Sequence, residues 1–317
     1  MPFRASFACL WCGTDHTTRL PDDLEGWAQL CPTCVGKAGE NNFLRSRLRQ
    51  ALTERGTAGA AAAGSAEAGP AGAPSTAEAV TVPVAQPAWD ADAELRAYYE
   101  ARAGEYDDWY LRRGRYARGA IHDAAWNAEL DMVGRWLDDI PFSGELVELA
   151  AGTGWWSTLL ASKGELSLYD TSPTALDRAR DRLLAHGLRA HLHERDAWAD
   201  PDRQVDGLFA GFWLSHVERD RLADFLAVVR RWLKPGARFA FLDSLPDPAS
   251  GAADHPEPRD DRAIRRLDDG REFRIVKVHR RPEEYEAALS AAGLEDVIVG
   301  RTGRFFVHGS ARRPNEG

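Results

Sequence analysis

Residues 145–154 read Glu-Leu-Val-Glu-Leu-Ala-Ala-Gly-Thr-Gly, a pattern typical of a buried strand followed by a glycine-rich turn. It begins as an apolar run of strand length and ends at Gly152 and Gly154, where the missing Cβ lets the backbone turn sharply and approach a ligand. Beyond it, strand-like runs alternate with segments of helical periodicity. Strands separated by helices of about 10 to 15 residues imply right-handed crossovers and a parallel sheet covered on both faces.

The last part of the chain departs from this alternation. A segment rich in Pro and Asp, 246–270, precedes a strand-like run at 273–280, a helix from Pro282 to Ala292 and two further strands. Those two strands are separated only by residues 301–303, and so short a link can join only antiparallel neighbours. The sequence therefore predicts a mostly parallel sheet with one reversed strand near the end.

Acidic residues stand where three of the predicted strands end. Ligands of such sheets bind at the carboxyl ends of the strands. Asp170 follows Gly152 by eighteen residues, where an acidic side chain of a nucleoside site meets ribose hydroxyls. Asp196 could accept a hydrogen bond from an adenine amine, and Glu148 would favour a cationic ligand group. The alternative is that each acid only caps a helix or a strand end.

The nucleotide is not predicted to be a dinucleotide. A dinucleotide site has a third glycine that allows close helix packing, but Ser157 stands there, preceded by Trp155 and Trp156. A ligand with adenosine and no phosphates fits this loop better.

Together these features resemble the class I S-adenosylmethionine-dependent methyltransferases, in particular the branch that acts on quinones and natural products. The resemblance rests on ELAAGTG at 148–154, Asp170, Asp196, LKPGARFAFLD and YDDWY at 106–110. It covers roughly Tyr98 to Gly309. It implies a Rossmann-like α/β sheet of seven strands and S-adenosylmethionine as cofactor. Ala150 stands where many relatives have a first glycine.

The resemblance also implies roles for single residues. Gly152 and Gly154 would line the methionine part of the cofactor, Glu148 would organise the loop, Asp170 would hold the ribose, and Asp196 with its neighbour would hold the adenine. The full predicted cofactor set is Tyr98, Tyr106, Glu148, Ala150, Gly152, Gly154, Asp170, Thr171, Asp196 and Ala197.

His216 and Tyr110 are the candidate catalytic residues. Methyl transfer depends mainly on proximity and needs a base only if the acceptor carries a proton. His216, just after the fourth strand, is the candidate base, although it could instead shape the pocket or cap a helix. Tyr110 belongs to a tyrosine-rich run that could form a lid over the cofactor or part of the core. Trp213 is expected at the acceptor pocket.

All four cysteines lie in the first tenth of the chain: Cys9, Cys12, Cys31 and Cys34. Two C-x-x-C pairs separated by eighteen residues are typical of a structural zinc site, whose four thiolates leave no position open for catalysis. Disulfides or a redox pair are the alternatives, and a reducing compartment and so small a fold argue against both.

Composition divides the chain into three segments. Residues 1–55 are predicted to form the zinc module with a short helix, and 90–317 the methyltransferase domain. Between them, residues 56–88 contain thirteen Ala, five Gly and four Pro without an aromatic or basic residue, which predicts a disordered linker over 56–89.

The net charge of −9 argues against nucleic acid and anionic membranes as main partners. Neither a membrane span nor a secretory signal is evident, so we expect a cytoplasmic protein. The leading hypothesis is methyl transfer to a small-molecule acceptor. This hypothesis is compatible with a protein partner that binds the zinc module. The alternatives are an RNA or protein methyltransferase that grips its substrate with the zinc module, and a non-catalytic cofactor-binding adaptor.

Overall fold

The computed structural model describes residues 3–20, 23–37, 44, 47–48, 51–52, 55 and 89–315. The chain divides into two compact units, Met1–Val84 and Ala85–Gly317. Most of the helix expected before residue 55, and the linker expected at 56–89 except its last residue, lie outside the described residues. The segment boundaries at 55 and 89 stay a prediction.

Within the continuous described stretches 3–20 and 23–37, the N-terminal unit contains two short strands that pair in antiparallel fashion and two short helices. Their bounds are β1 Ser6–Ala8, β2 Asp15–Thr17, α1 Leu24–Ala28 and α2 Pro32–Gly36. Gly13, in the turn after Cys12, has a φ of 71°, a conformation that glycine adopts without strain. Pro32 occupies the first turn of α2, where its missing N–H is not needed. Gly13 directly follows the first cysteine pair, and Pro32 lies within the second.

The second unit is built on nine strands. They are β3 Glu145–Leu149, β4 Glu165–Asp170, β5 His191–Glu194, β6 Val205–Gly211, β7 Leu233–Ser244, β8 Arg262–Arg266, β9 Glu272–Val276, β10 Glu295–Arg301 and β11 Phe306–Arg312. Seven of them form one sheet in the order β10-β11-β7-β6-β3-β4-β5. β11 is antiparallel to both neighbours, whereas β3 to β7 run parallel. The predicted fold class, a seven-stranded α/β sheet with one reversed strand, is confirmed.

Helices cover both faces of this sheet. They are α3 Ala91–Arg102, α4 Tyr106–Tyr110, α5 Ala120–Asp139, α6 Ser157–Ala161, α7 Pro173–Ala185, α8 Leu222–Trp232 and α9 Pro282–Ala291. Local sequence explains where they begin: Asp90 accepts a hydrogen bond from the Ala93 N–H to cap α3, and Ser172 accepts one from the Ala175 N–H to cap α7. Pro173 then takes the first position of α7.

One strand expectation is wrong in detail. The run at 273–280 does not join the main sheet; its first part is β9, which pairs with β8 as a separate hairpin. The sequence did not indicate β8, because Arg-Ala-Ile-Arg-Arg carries too few apolar residues for an alternating pattern. Within the described part of the chain, no helix is long and apolar enough to cross a membrane.

Candidate functional site

A first cavity lies at the carboxyl ends of the central strands, which is where ligands of open α/β sheets bind. Its floor comes from the loops after β3, β4, β5 and β6, and α3 provides one wall. The lining residues are Asp92, Leu95, Arg96, Tyr99, Ala103, Tyr106, Ala150, Gly152, Thr153, Asp170, Thr171, Ala175, Asp196, Ala197, Trp198, Gly211, Phe212, Trp213 and His216. Seven of the ten predicted cofactor residues are among them: Tyr106, Ala150, Gly152, Asp170, Thr171, Asp196 and Ala197.

Asp170 joins the glycine loop to the start of α7. Its two carboxylate oxygens accept hydrogen bonds from the N–H groups of Gly152, at 2.8 Å, and Ser172, at 2.9 Å. Burial raises the pKa of Asp170, while these backbone bonds oppose the rise. These two bonds hold the side chain in one orientation at the edge of the cavity. A fixed carboxylate of this kind is suited to accept hydrogen bonds from hydroxyl groups.

Two of the residues that line the first cavity have an unusual backbone conformation. Ala150, at a φ of 51°, and Phe212, at a φ of 58° after β6, are non-glycine residues in the left-handed region, and both line the cavity. Such strain is commonly found at binding sites. Gly154 is not among the lining residues, and a Cβ there would lie 2.8 Å from the Cβ of Ala179 in α7, so this position requires glycine for helix packing.

Glu148 lies behind the loop and outside the set of lining residues. It is 2% exposed, and the Ser157 hydroxyl donates to its Oε2 at 2.5 Å. Burial raises the pKa of Glu148 to about 8, so that its carboxyl holds a proton at neutral pH. This arrangement fits the predicted role of organising the loop.

Asp196 connects the cavity floor to α3. Its Oδ1 accepts from the Trp198 N–H at 2.9 Å, and its Oδ2 forms an ion pair with Arg96 at 3.0 Å. Elsewhere on α3, Glu100 accepts hydrogen bonds from the hydroxyls of Ser172 and Thr174 at the start of α7. These contacts hold α3 across the carboxyl edge of the sheet.

The predicted tyrosines separate into different environments. Tyr106 lines the first cavity, but Tyr98 is 1% exposed and faces a second cavity, packed among Leu95, Ala263 and Ile275. Tyr110, the second candidate catalytic residue, lines neither cavity and stacks on Trp155 with ring centroids 4.2 Å apart. The structure therefore places Tyr98 and Tyr110 away from the predicted cofactor side.

His216 is buried, and both of its ring nitrogens have partners. Nδ1 lies 2.7 Å from the carbonyl oxygen of Val276, and Nε2 lies 2.6 Å from the hydroxyl of Tyr99. Because a carbonyl only accepts, the proton sits on Nδ1, and Nε2 accepts from Tyr99. Burial and nearby Lys277 hold the pKa of His216 well below 6.5. The imidazole is neutral, with its lone pair directed at Tyr99.

The second cavity, of about 510 Å³, adjoins the first. Residues 246–258, the start of the Pro/Asp-rich segment, line one side of it, and the β8–β9 hairpin lines another. Four residues line both cavities: Tyr99, Tyr106, Phe212 and His216. Trp213, expected at the acceptor pocket, lines only the first cavity.

Known proteins share this arrangement. A family model described as a methyltransferase domain matches residues 146–236. The solved structure of DhpI with SAH is 30% identical with a TM-score of 0.56, and the alignment covers 71% of this chain and 98% of DhpI. The chain belongs to the class I S-adenosylmethionine-dependent methyltransferases. A second DhpI structure, titled a SAM-HEP complex, is 31% identical over 70% of this chain and 97% of DhpI, with a TM-score of 0.55.

A curated relative matches over a shorter stretch. The ribosomal RNA small subunit methyltransferase C of Hamiltonella defensa subsp. Acyrthosiphon pisum (strain 5AT) is 36% identical over 69 residues. That match covers 20% of this methyltransferase and 20% of the relative, so it spans about a fifth of either protein.

Sequence reasoning missed two parts of the methyltransferase site. Asp107 of α4 accepts a hydrogen bond from the Thr153 hydroxyl at 2.6 Å and forms an ion pair with Arg182, which ties α4 to the glycine loop. Arg102 at the end of α3 lines the second cavity. Asp107 lies within the YDDWY motif, but the motif did not indicate its contacts, because Thr153 and Arg182 lie far away in the sequence; Arg102 lies in no motif that the sequence offered.

The four cysteines come together in the N-terminal unit. Their Sγ atoms all lie within 4.8 Å of one another, and those of Cys12 and Cys31 are 3.6 Å apart. Zinc bonds of about 2.3 Å in a tetrahedron require sulfur atoms about 3.8 Å apart. The cluster therefore fits a zinc ion in size and in donor type.

Proposed function

We propose that this methyltransferase transfers a methyl group to a small-molecule acceptor bound in the second cavity. The observation that carries the proposal is that the two cavities meet at Tyr99, Tyr106, Phe212 and His216. A donor in the first cavity and an acceptor in the second would face each other across these four side chains, and proximity is the main requirement of methyl transfer.

The residues of the first cavity would hold S-adenosylmethionine in the order that the motif implies. Asp170 would accept from the ribose hydroxyls, Asp196 and Ala197 would contact the adenine, and the loop from Ala150 to Gly152 would lie along the methionine part. The sulfonium supplies an electrophilic methyl group: its C–S bond breaks with the electron pair left on sulfur, while a lone pair of the acceptor forms the new bond.

Tyr99 is the residue placed to receive a proton from the acceptor. Its hydroxyl donates to Nε2 of His216, which leaves its oxygen lone pairs free to accept from an acceptor hydroxyl or amine. An acceptor proton that is released would pass to the Tyr99 oxygen as the Tyr99 proton moves to Nε2. We infer that His216 acts only through Tyr99: its Nε2 orients the Tyr99 hydroxyl and would take up the proton that Tyr99 passes on.

Two properties favour a small molecule over RNA or protein. The second cavity, about 510 Å³, has the size of ordinary small-ligand pockets. The net charge of −9 gives no general attraction for RNA. The short match to an RNA methyltransferase keeps RNA as the second candidate.

For the cysteine cluster we propose a structural zinc ion that stabilises the N-terminal unit.

The deciding experiment follows the methyl group. The full chain is incubated with methyl-tritiated S-adenosylmethionine and, separately, with the low-molecular-weight, RNA and protein fractions of a cell extract. We expect label in the low-molecular-weight fraction, and none with Asp170→Asn. Label confined to RNA or to protein would refute the small-molecule proposal.

A further inference from the structure

Three of the basic side chains that line the second cavity have only one acidic partner among them in the described part of the chain. Arg102 from α3, Arg265 from β8 and Lys277, just after β9, all face it. Within the described part of the chain, neither Arg102 nor Arg265 forms an ion pair, and only Lys277 has one, with Asp243 at 3.6 Å. Three basic groups thus share one carboxylate at this site.

Arg102 is the most deeply enclosed of the three. It is 8% exposed, and among the described residues its Nε has no hydrogen-bond partner. Its guanidinium lies 4.6 Å from the ring centroid of Tyr106 and 5.6 Å from that of Tyr98. Aromatic faces stabilise the charge but do not use the N–H donors, which remain available in the plane of the group.

Burial of these charges is unfavourable by itself. It lowers the pKa of Lys277 to about 8 and also lowers that of Arg265. The acids that line the cavity compensate little, because Asp247 pairs with Arg304 at 2.5 Å and Glu257 is exposed. Buried cations without counter-charges are rarely kept for stability alone.

We propose that the second cavity binds the acceptor through an oxyanionic group, of phosphate or carboxylate type, held by Arg102, Arg265 and Lys277. The inference rests on the proposed function, since it names the class of acceptor for the same reaction. Planar guanidinium groups match such oxyanions with paired N–H donors, and an ammonium adds a point charge. An anion here would contact α3 and the hairpin together.

Anion binding is tested first by calorimetry. The full chain, saturated with S-adenosylhomocysteine, is titrated with inorganic phosphate and, in a second arm, with acetate, at constant ionic strength in chloride. We expect saturable binding of at least one of them, and the tighter arm identifies the type of oxyanion. No saturable binding in either arm would overturn the proposal.

A pair of variants locates the anion. Arg265→Gln should weaken anion binding at least about tenfold, because charged hydrogen bonds of this kind contribute about 1.5 to 3 kcal/mol. Arg180→Gln removes the same charge from the outer face of α7, where Arg180 is 50% exposed and pairs with Asp177, and should change nothing. Retained S-adenosylhomocysteine binding shows that both variants fold. Equal anion affinity in the two variants contradicts the assignment.

The reaction product provides an independent arm. The labelled product from the low-molecular-weight fraction should be retained by an anion exchanger at neutral pH. A neutral or cationic labelled product would refute the oxyanionic acceptor while leaving the small-molecule methyltransferase proposal intact. Label that appears only in RNA or protein would refute that broader proposal instead.

Discussion

Glu148→Gln should abolish the loss of stability that the titration of Glu148 causes in the ligand-free protein between about pH 5 and pH 8. Glu148 is 2% exposed at the end of β3, and burial raises its pKa from 4.5 to about 8. Gln has nearly the same shape, can still accept from the Ser157 hydroxyl and does not titrate. The substitution therefore removes the titration with little change in packing.

The sign and the size follow from linkage. Between pH 4.5 and about 8 the native state keeps the Glu148 proton and the unfolded state has lost it, so raising the pH favours unfolding. The loss is about 1.4 kcal/mol per pH unit, which gives about 3 kcal/mol at pH 7 and about 5 kcal/mol above pH 8. The neutral variant avoids this loss, and its advantage grows with pH.

Urea unfolding at about pH 5, 6, 7 and 8 measures the effect, with wild type and variant compared at each pH. The difference between the two free energies of unfolding cancels all other titrating groups. Glu194→Gln, an exposed carboxylate at the end of β5, is the matched control and should give a nearly constant difference. A Glu148→Gln curve that runs parallel to wild type would show that Glu148 is ionised in the native protein.

Four further predictions concern the loop, the cofactor, the proton and the metal. Gly154→Ala should destabilise the protein by about 1 to 3 kcal/mol more than Gly187→Ala in chemical denaturation, since both glycines have positive φ but only Gly154 packs against Ala179. Asp170→Asn should weaken S-adenosylmethionine binding more than about tenfold, as measured by calorimetry. An unchanged affinity would show that Asp170 does not bind the ribose. Tyr99→Phe and His216→Asn should each lower kcat with the KM for S-adenosylmethionine unchanged. The kcat of the double variant should be no lower than that of either single variant. Additive effects of the two substitutions would show that Tyr99 and His216 act independently. Metal analysis should find one zinc per chain, lost in Cys34→Ser; freely reactive thiols in protein without metal would refute the zinc site.

Local patterns in the sequence were sufficient for the elements that depend on neighbouring residues. The cap at Ser172 followed by Pro173 and the strand that ends at Asp170 are short-range features, and the structure has both. The glycine loop was also predictable, although the sequence did not show that Gly154 packs against Ala179 of α7. Pattern can show that a position requires glycine without showing which neighbour imposes the requirement.

The apolar face of α5 shows where periodicity was insufficient. Ile121 is an apolar residue in the first turn of α5, yet it is 91% exposed. The buried face includes Glu129 instead, whose carboxylate accepts hydrogen bonds from the N–H groups of Arg304 and Phe305. An acid that satisfies the backbone of a distant loop is buried for reasons absent from its own helix.

Charge separates the two cavities and suggests how donor and acceptor reach the correct sides. Acids predominate in the first cavity and basic residues in the second: the first is lined by Asp92, Asp170 and Asp196 against Arg96, and the second by Arg102, Arg118, Arg265 and Lys277 against Asp247 and Glu257. A sulfonium donor carries positive charge, so it is attracted by the first set and repelled by the second, and an oxyanionic acceptor has the opposite preference. Tyr99, Tyr106 and Phe212, which line both cavities, are uncharged. The preference of each ligand for its cavity therefore comes from the charged residues of that cavity, whichever ligand binds first. Arg265→Glu should therefore reduce acceptor binding more than Arg265→Gln does, with little effect on the affinity for S-adenosylmethionine; equal effects of the two substitutions would mean that shape, not charge, selects the acceptor.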